Sequence, residues 1–147
     1  MIKDLIDIES IELGVKAQDW VEAIRKSGDY LINKGKITTD YVENVITAVK
    51  KLGPYIVIMP GVAFAHARPD SSVKETCMHM IRLEEPVEFG STYNDPVKII
   101  IMFAAVDSNE HIEVLQDIAN LMMDKKNVET LMEGRDIEEI KELLYQY

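Results

Sequence analysis

Residues 97–106 place the strongest single constraint on how this chain folds. Within this segment only Lys98 interrupts an otherwise apolar run. A strand with apolar side chains on both of its faces is typical of the centre of a sheet that is covered on both sides. The run is also far shorter than the roughly 20 residues that a membrane-spanning helix needs. We therefore expect a central, fully buried β-strand here and no insertion of the chain into a membrane.

Periodic patterns around this segment predict helices and further strands. Apolar residues at helical spacing predict helices over residues 20–34, 39–52, 108–123 and 137–145. Short apolar, β-branched runs predict strands over residues 55–59, 62–65 and 76–83. The short return between Pro86 and Pro96 predicts a hairpin, while the longer gaps leave room for crossover helices. Residues 1–147 are thus expected to form one α/β domain, three-layered or sandwich-like, with a mixed β-sheet flanked by helices.

Composition excludes several classes of function. The net charge of −10 disfavours binding to nucleic acid or anionic lipid. The first ten residues carry acids where a secretory signal carries basic and then apolar residues. The single cysteine, Cys77, allows no internal disulfide, so we expect a cytoplasmic protein. No phosphate-binding glycine loop, hydrolase elbow or zinc-ligand spacing is present, so we expect neither a nucleotide site nor a metal site.

His66 is the residue whose setting points most clearly to chemistry. It follows the predicted strand at residues 62–65, and an alanine on each side leaves its imidazole uncrowded. Ligands of open α/β sheets bind at strand ends, and a neutral imidazole nitrogen is a nucleophile near neutral pH. Arg68, two residues further on, would neutralise a phosphoryl group or orient a partner. A structural role for a lone histidine also fits, and the residue pattern leaves both interpretations open.

His111 is the second candidate. It lies in the first turn of the predicted helix that starts near residue 108, where free backbone N–H groups and the helix dipole favour an anion. The same field disfavours protonation of its imidazole, so a neutral ring would donate one hydrogen bond to a phosphoryl oxygen. An exposed polar residue in a first turn is an equally good interpretation.

The other candidate residues favour structural roles. His79 alternates with methionines in a predicted strand, which indicates a partly buried structural side chain. Cys77 shares its face and has no basic neighbour in sequence to lower the pKa of its thiol. Lys50 and Lys51 end a predicted helix, where they complement the helix dipole.

Two sequence blocks resemble one known family. Residues 53–69 read GPYIVIMPGVAFAHARP, and residues 104–115 read AAVDSNEHIEVL. These blocks resemble the two histidine motifs of the type-2 enzyme IIA domains of the bacterial phosphoenolpyruvate-dependent phosphotransferase system, the mannitol and fructose superfamily. The likeness is greatest to the ascorbate-specific branch, which shares the Gly-Pro-Tyr opening and the Arg-Pro after the histidine. It runs over essentially the whole chain and includes residues 94–96 (NDP).

This resemblance implies a phosphocarrier with no metal or organic cofactor. It implies that Nε2 of His66 accepts a phosphoryl group from the phosphohistidine of HPr, and that His111 stabilises the group during transfer. The acceptor would be a cysteine of enzyme IIB, which phosphorylates the sugar as it enters through a membrane-embedded IIC. The resemblance also implies that those partner domains choose the sugar.

The chain departs from the family pattern at two places. Ala65 stands where family members usually have proline before the active histidine, so the local backbone is less constrained. Mannitol-type domains also use an arginine upstream of the motif, where this chain has only Lys50 and Lys51. The cation that binds the phosphoryl group is therefore one of these lysines or Arg68.

Three alternative functions stay open at this level. The first is a regulatory IIA-like phosphoprotein that signals through His66 without feeding a transporter. The second is a small-molecule or metal-binding module built from the three histidines, His66, His79 and His111. The third is a structural or interaction protein that is never phosphorylated. A phosphorylation assay with phosphoenolpyruvate, enzyme I and HPr separates the second and third alternatives from the phosphocarrier. Genomic neighbours that encode IIB and IIC proteins separate the first.

Overall fold

Strand β5 (Val97–Ala104) is the middle strand of a five-stranded sheet in the computed structural model, which describes residues 1–147. The other strands are β1 (Ile11–Val15), β2 (Val57–Met59), β3 (Val62–Ala65) and β4 (Cys77–Val87). Their order across the sheet is β1-β4-β5-β3-β2. The central strand predicted for residues 97–106 is confirmed, and it ends at Ala104.

Both faces of β5 are buried, each within a different hydrophobic cluster. Side chains of a strand alternate between its two faces, and each face here carries apolar residues. One cluster takes Ile100, Met102 and Ala104, and the other takes Ile99, Ile101 and Phe103. Only a strand without an alternating polar pattern can lie at this position, which explains the unbroken apolar run in the sequence.

Helices cover the sheet on both sides, so that the domain has three layers. The helices are α1 (Ile2–Leu5), α2 (Trp20–Asn33), α3 (Thr39–Leu52), α4 (Ser108–Met122), α5 (Lys125–Glu133) and α6 (Ile137–Leu144). Helices α2 and α3 pack in one cluster, and α1, α4, α5 and α6 pack in the other. The mixed sheet flanked by helices is as predicted. None of these helices has the length and apolar character needed to cross a membrane.

The helix starts follow from capping residues that the sequence displays. The side chains of Asp19, Asp107 and Asp136 each accept a backbone N–H in the first turn of α2, α4 and α6. Such a bond satisfies one of the free donors of a helix N-terminus. Helix α3 ends at Leu52 because Gly53 takes a φ of +85°, which favours glycine over other residues.

Strand directions bring two chain segments to the same edge of the sheet. Strands β4 and β5 are antiparallel, as the predicted hairpin requires, while β3 and β5 are parallel. The carboxyl ends of β3 and β5 therefore lie side by side. The segment that follows β3 contains His66, and the segment that follows β5 leads into α4 and His111.

Some elements differ from the sequence-based expectation. Strand β2 begins at Val57, two residues later than predicted, and β4 continues to Val87 instead of ending at residue 83. Strand β1 and helices α1 and α5 were not predicted. Their patterns are weak, since β1 is a short edge strand that contains Gly14 and α5 buries only Leu131.

Candidate active site

His66 lies at the mouth of a cleft at the carboxyl edge of β3. The four residues of β3 before it are all buried, whereas His66 itself is partly exposed. The cleft has a volume of about 390 Å³. Its lining residues are Ala48, Leu52, Tyr55, His66, Ala67, Arg68 and His111. A side chain at this position is fixed by the sheet through its backbone and still open to a partner.

One hydrogen bond determines which nitrogen of His66 is free. Nδ1 lies 2.7 Å from the carbonyl oxygen of Phe64. Because a carbonyl only accepts hydrogen bonds, Nδ1 carries the proton of the neutral ring, and Nε2 keeps its lone pair. His66 therefore presents an unprotonated nucleophile without the help of a separate base.

His111 lies directly beside His66. The two ring centroids are 5.5 Å apart, and the Phe103 ring lies 5.2 Å from each of them. His111 is in the first turn of α4, where its amide donates to the carbonyl of the cap residue Asp107. The Nδ1 atom of His111 is buried and has no hydrogen-bond partner. The two histidines that the sequence singled out are thus neighbours in space.

The electrostatic environment keeps both rings neutral. Burial lowers the pKa of His66 and His111 lowers it further, against the opposing effect of the bond to Phe64. Burial likewise lowers the pKa of His111. Both shifts disfavour the imidazolium, so at neutral pH one ring can act as a nucleophile and the other as a neutral hydrogen-bond donor.

Among the candidate cations, only Arg68 lines the cleft. Its side chain is exposed. Lys51 is exposed on α3 three residues after the cleft residue Ala48, which places it on the same side of the helix. Lys50 is two residues after Ala48, and residues at that spacing face away from each other.

His79 and Cys77 lie apart from this cleft, in strand β4. His79 is fully buried, its Nε2 is 2.9 Å from the Glu12 carboxylate, and its ring stacks on Tyr30 at 4.7 Å. Burial raises the pKa of the Cys77 thiol to about 12, which leaves it un-ionised at neutral pH. The three histidines do not form one site, because His79 contacts Glu12 and Tyr30 while the other two contact each other. No group of three potential metal ligands comes together in the structure.

Two tyrosine hydroxyls near His66 were not singled out from the sequence. The Tyr55 hydroxyl donates to the carbonyl of His66 at 2.6 Å, and its ring meets the His66 ring edge to face. The Tyr41 hydroxyl bonds to the backbone of Ala67 and of Phe103. Tyr41 lies on the buried face of α3, where its hydroxyl needs a hydrogen-bond partner. This need for a partner is the signal by which the sequence could have singled out Tyr41.

The fold and the histidine pair correspond to one known class of protein. The family model for the EIIA 2 domains of the phosphoenolpyruvate-dependent sugar phosphotransferase system matches residues 4–147. The chain therefore belongs to this family, as its sequence blocks predicted. Members of it are phosphotransferase components that carry a phosphohistidine.

Individual relatives extend this match to almost the full chain. The ascorbate-specific PTS system EIIA component of Escherichia coli (strain K12) is 38% identical over 141 residues, which are 95% of this chain and 92% of the relative. The solution structure of the mannitol-specific cryptic phosphotransferase enzyme IIA CmtB from Escherichia coli superposes with a TM-score of 0.89 at 29% identity, and covers 99% of both chains. The complex of enzyme IIAMtl with phosphorylated enzyme IIBMtl from Escherichia coli gives a TM-score of 0.85 at 29% identity, over 97% of this chain and 98% of the other.

Proposed function

We propose that Nε2 of His66 accepts a phosphoryl group from phosphorylated HPr and donates it to a cysteine of an enzyme IIB, in the uptake of an ascorbate-type sugar. The observation that carries this proposal is the 2.7 Å contact between Nδ1 of His66 and the carbonyl of Phe64, which leaves Nε2 unprotonated in an open cleft. The identity to ascorbate-specific EIIA components and the similarity to a IIA–IIB complex support the partners. Both phosphoryl transfers would take place in the cytoplasm, beside a membrane-embedded IIC.

The chemistry needs little more than position and charge. The lone pair of Nε2 forms a bond to phosphorus while the bond between phosphorus and the donor imidazole breaks. No proton has to move before the attack, since His66 is already neutral and its proton stays on Nδ1. Phosphoryl transfer depends chiefly on in-line geometry and on electrostatic stabilisation of the equatorial oxygens.

His111 is proposed to stabilise those oxygens. Its buried Nδ1 has no partner, and a buried lone pair without a partner is less costly than a buried N–H without one. The proton of the neutral ring therefore belongs on Nε2. From a ring 5.5 Å away, that N–H donates to an oxygen of a phosphoryl group on His66.

Arg68 is the preferred cation for the same group. It lines the cleft, and a guanidinium matches the geometry of phosphoryl oxygens. Lys51 is the second candidate, because its long side chain begins on the side of α3 that faces the cleft. Lys50 begins on the other side of the helix and is proposed to complement the helix dipole only.

The test is labelling with phosphoenolpyruvate, enzyme I and HPr. The wild-type chain should gain one acid-labile, base-stable phosphoryl group that maps to His66. His66→Ala should gain none while it keeps its fold by circular dichroism. His111→Ala retains the acceptor and should still be labelled. Labelling of His66→Ala at the wild-type level would refute the assignment of the acceptor. A second measurement, transfer from the labelled protein to a IIB domain, separates a transport role from a purely regulatory one.

A further inference from the structure

The hydrogen-bond ladder between β3 and β5 stops just before His66. The strands are parallel with Ala65 opposite Met102, and at the start of the ladder the amide of Ile99 donates to the carbonyl of Gly61 at 3.0 Å. Every second residue of a strand bonds to the same neighbouring strand. In this register, the next bond would run from the amide of Ala67 to the carbonyl of Phe103.

The hydroxyl of Tyr41 lies at the position of that missing bond. It accepts the amide of Ala67 at 2.9 Å and donates to the carbonyl of Phe103 at 2.7 Å. The carbonyl of Ala67 is 3.3 Å from the same oxygen, but the single hydroxyl proton goes to the nearer carbonyl. Tyr41 is 0% exposed, so its hydroxyl is held by backbone groups in the interior. One oxygen atom thus separates the two strands where a direct bond would join them.

This inserted oxygen lies between the elements that carry both histidines. His66 is the residue between Ala65, the last residue of β3, and Ala67, which Tyr41 binds. The Phe103 residue that receives the hydroxyl proton also has its ring 5.2 Å from His66 and 5.2 Å from His111. A change in the spacing of the strands at this point would therefore move His66 relative to His111.

We propose that Tyr41 is a positioning residue for phosphoryl transfer: its hydroxyl holds β3 and β5 apart and thereby sets the place of the His66 ring beside His111. The proposal rests on the proposed role of His66 as acceptor. In Tyr41→Phe, the amide of Ala67 either loses its partner or bonds directly to Phe103. Either result frees or displaces the backbone directly after the acceptor, and a displacement of about 1 Å can lower a rate a hundredfold.

The experiment compares Tyr41→Phe with the wild type by two readouts. The first is the nitrogen-15 chemical shifts of the His66 ring, which report the bond between Nδ1 and Phe64 and need no phosphorylation. The second is the rate of phosphorylation by phospho-HPr per folded molecule. Tyr30→Phe is the matched control, since it removes a tyrosine hydroxyl that contacts Glu9 in a different part of the molecule. We expect changed His66 shifts and a rate about tenfold to a hundredfold lower in Tyr41→Phe, with both readouts unchanged in the control.

Each outcome decides for or against the role of Tyr41. A folded Tyr41→Phe protein with the wild-type rate overturns the proposal, even if it is less stable, because the hydroxyl would then serve the fold alone. A lower rate with unchanged His66 shifts also overturns it, because the effect would not pass through the ring. If Tyr41→Phe does not fold, 4-fluorophenylalanine at this position fills the space of the hydroxyl without donating, and the same two readouts apply. If the wild type is never labelled at His66, the acceptor assignment fails, while the shifts still report on Tyr41.

Discussion

Replacing His111 by alanine should slow transfer from phosphorylated His66 to enzyme IIB by about a hundredfold. The ring centroids are 5.5 Å apart, so the His111 ring is adjacent to the ring that is proposed to carry the phosphoryl group. Loss of one preorganised donor to a developing anion costs about 2.7–4 kcal/mol, or roughly a hundred- to a thousandfold in rate. Because His111 is partly exposed, water replaces a part of the lost bond, and we expect the lower end of this range.

The assay is a single-turnover transfer from phosphorylated protein to a IIB domain in excess. His111→Gln keeps an N–H donor and should recover a part of the rate, whereas His111→Ala should not. Gln116→Ala is the matched control, because it removes an exposed polar side chain from the same helix. The reasoning is refuted if His111→Ala transfers at the wild-type rate, since His111 would then be no more than a surface residue of α4.

The remaining predictions concern pH and the choice of cation. Burial lowers the pKa values of all three histidines below 6.5 in the folded protein. Below pH 6.5 the unfolded chain therefore binds more protons than the folded chain, and the free energy of unfolding falls as the pH is lowered. Urea unfolding should therefore show a lower midpoint at about pH 5.5 than at about pH 7.5, and an equal or higher midpoint would contradict these shifts. Arg68→Ala should slow phosphorylation by phospho-HPr more than Lys51→Ala does, and the control Lys50→Ala should react at the wild-type rate. If Lys51→Ala is the slower of the two, Lys51 is the phosphoryl-binding cation.

The parts of the fold that were predictable are those with a strong local pattern of apolar residues. Strand β5 is apolar at almost every position because both of its faces are buried. Helix α3 matches its predicted bounds because buried residues recur on one face and a glycine follows its last turn. Strand β1 has only Ile11 fully buried, and its place in the sheet depends on parallel pairing with β4, a long-range contact that leaves no local pattern.

From the sequence, the site was predictable as far as its two histidines and a set of three candidate cations. His66 and His111 lie close together because β3 and β5 are parallel neighbours. No local sequence pattern predicts which strands are neighbours in a sheet. The bond from Nδ1 of His66 to Phe64 depends on the turn of the chain after β3. The choice between Arg68 and the two lysines depends on which face of α3 borders the cleft, and helical spacing alone does not say where that cleft lies.

The alanine before His66 can be understood from the same geometry. In the register of β3 and β5, the amide of Ala65 donates to the carbonyl of Ile101, and a proline at this position would remove that bond. The two residues after Ala65 are bonded to tyrosine hydroxyls. The Tyr55 hydroxyl donates to the carbonyl of His66, and the Tyr41 hydroxyl accepts the amide of Ala67. A hydrogen bond of this kind contributes about 0.5–1.5 kcal/mol. Ala65 thus keeps its ladder bond, and the two tyrosine bonds act on the folded backbone beside the acceptor itself.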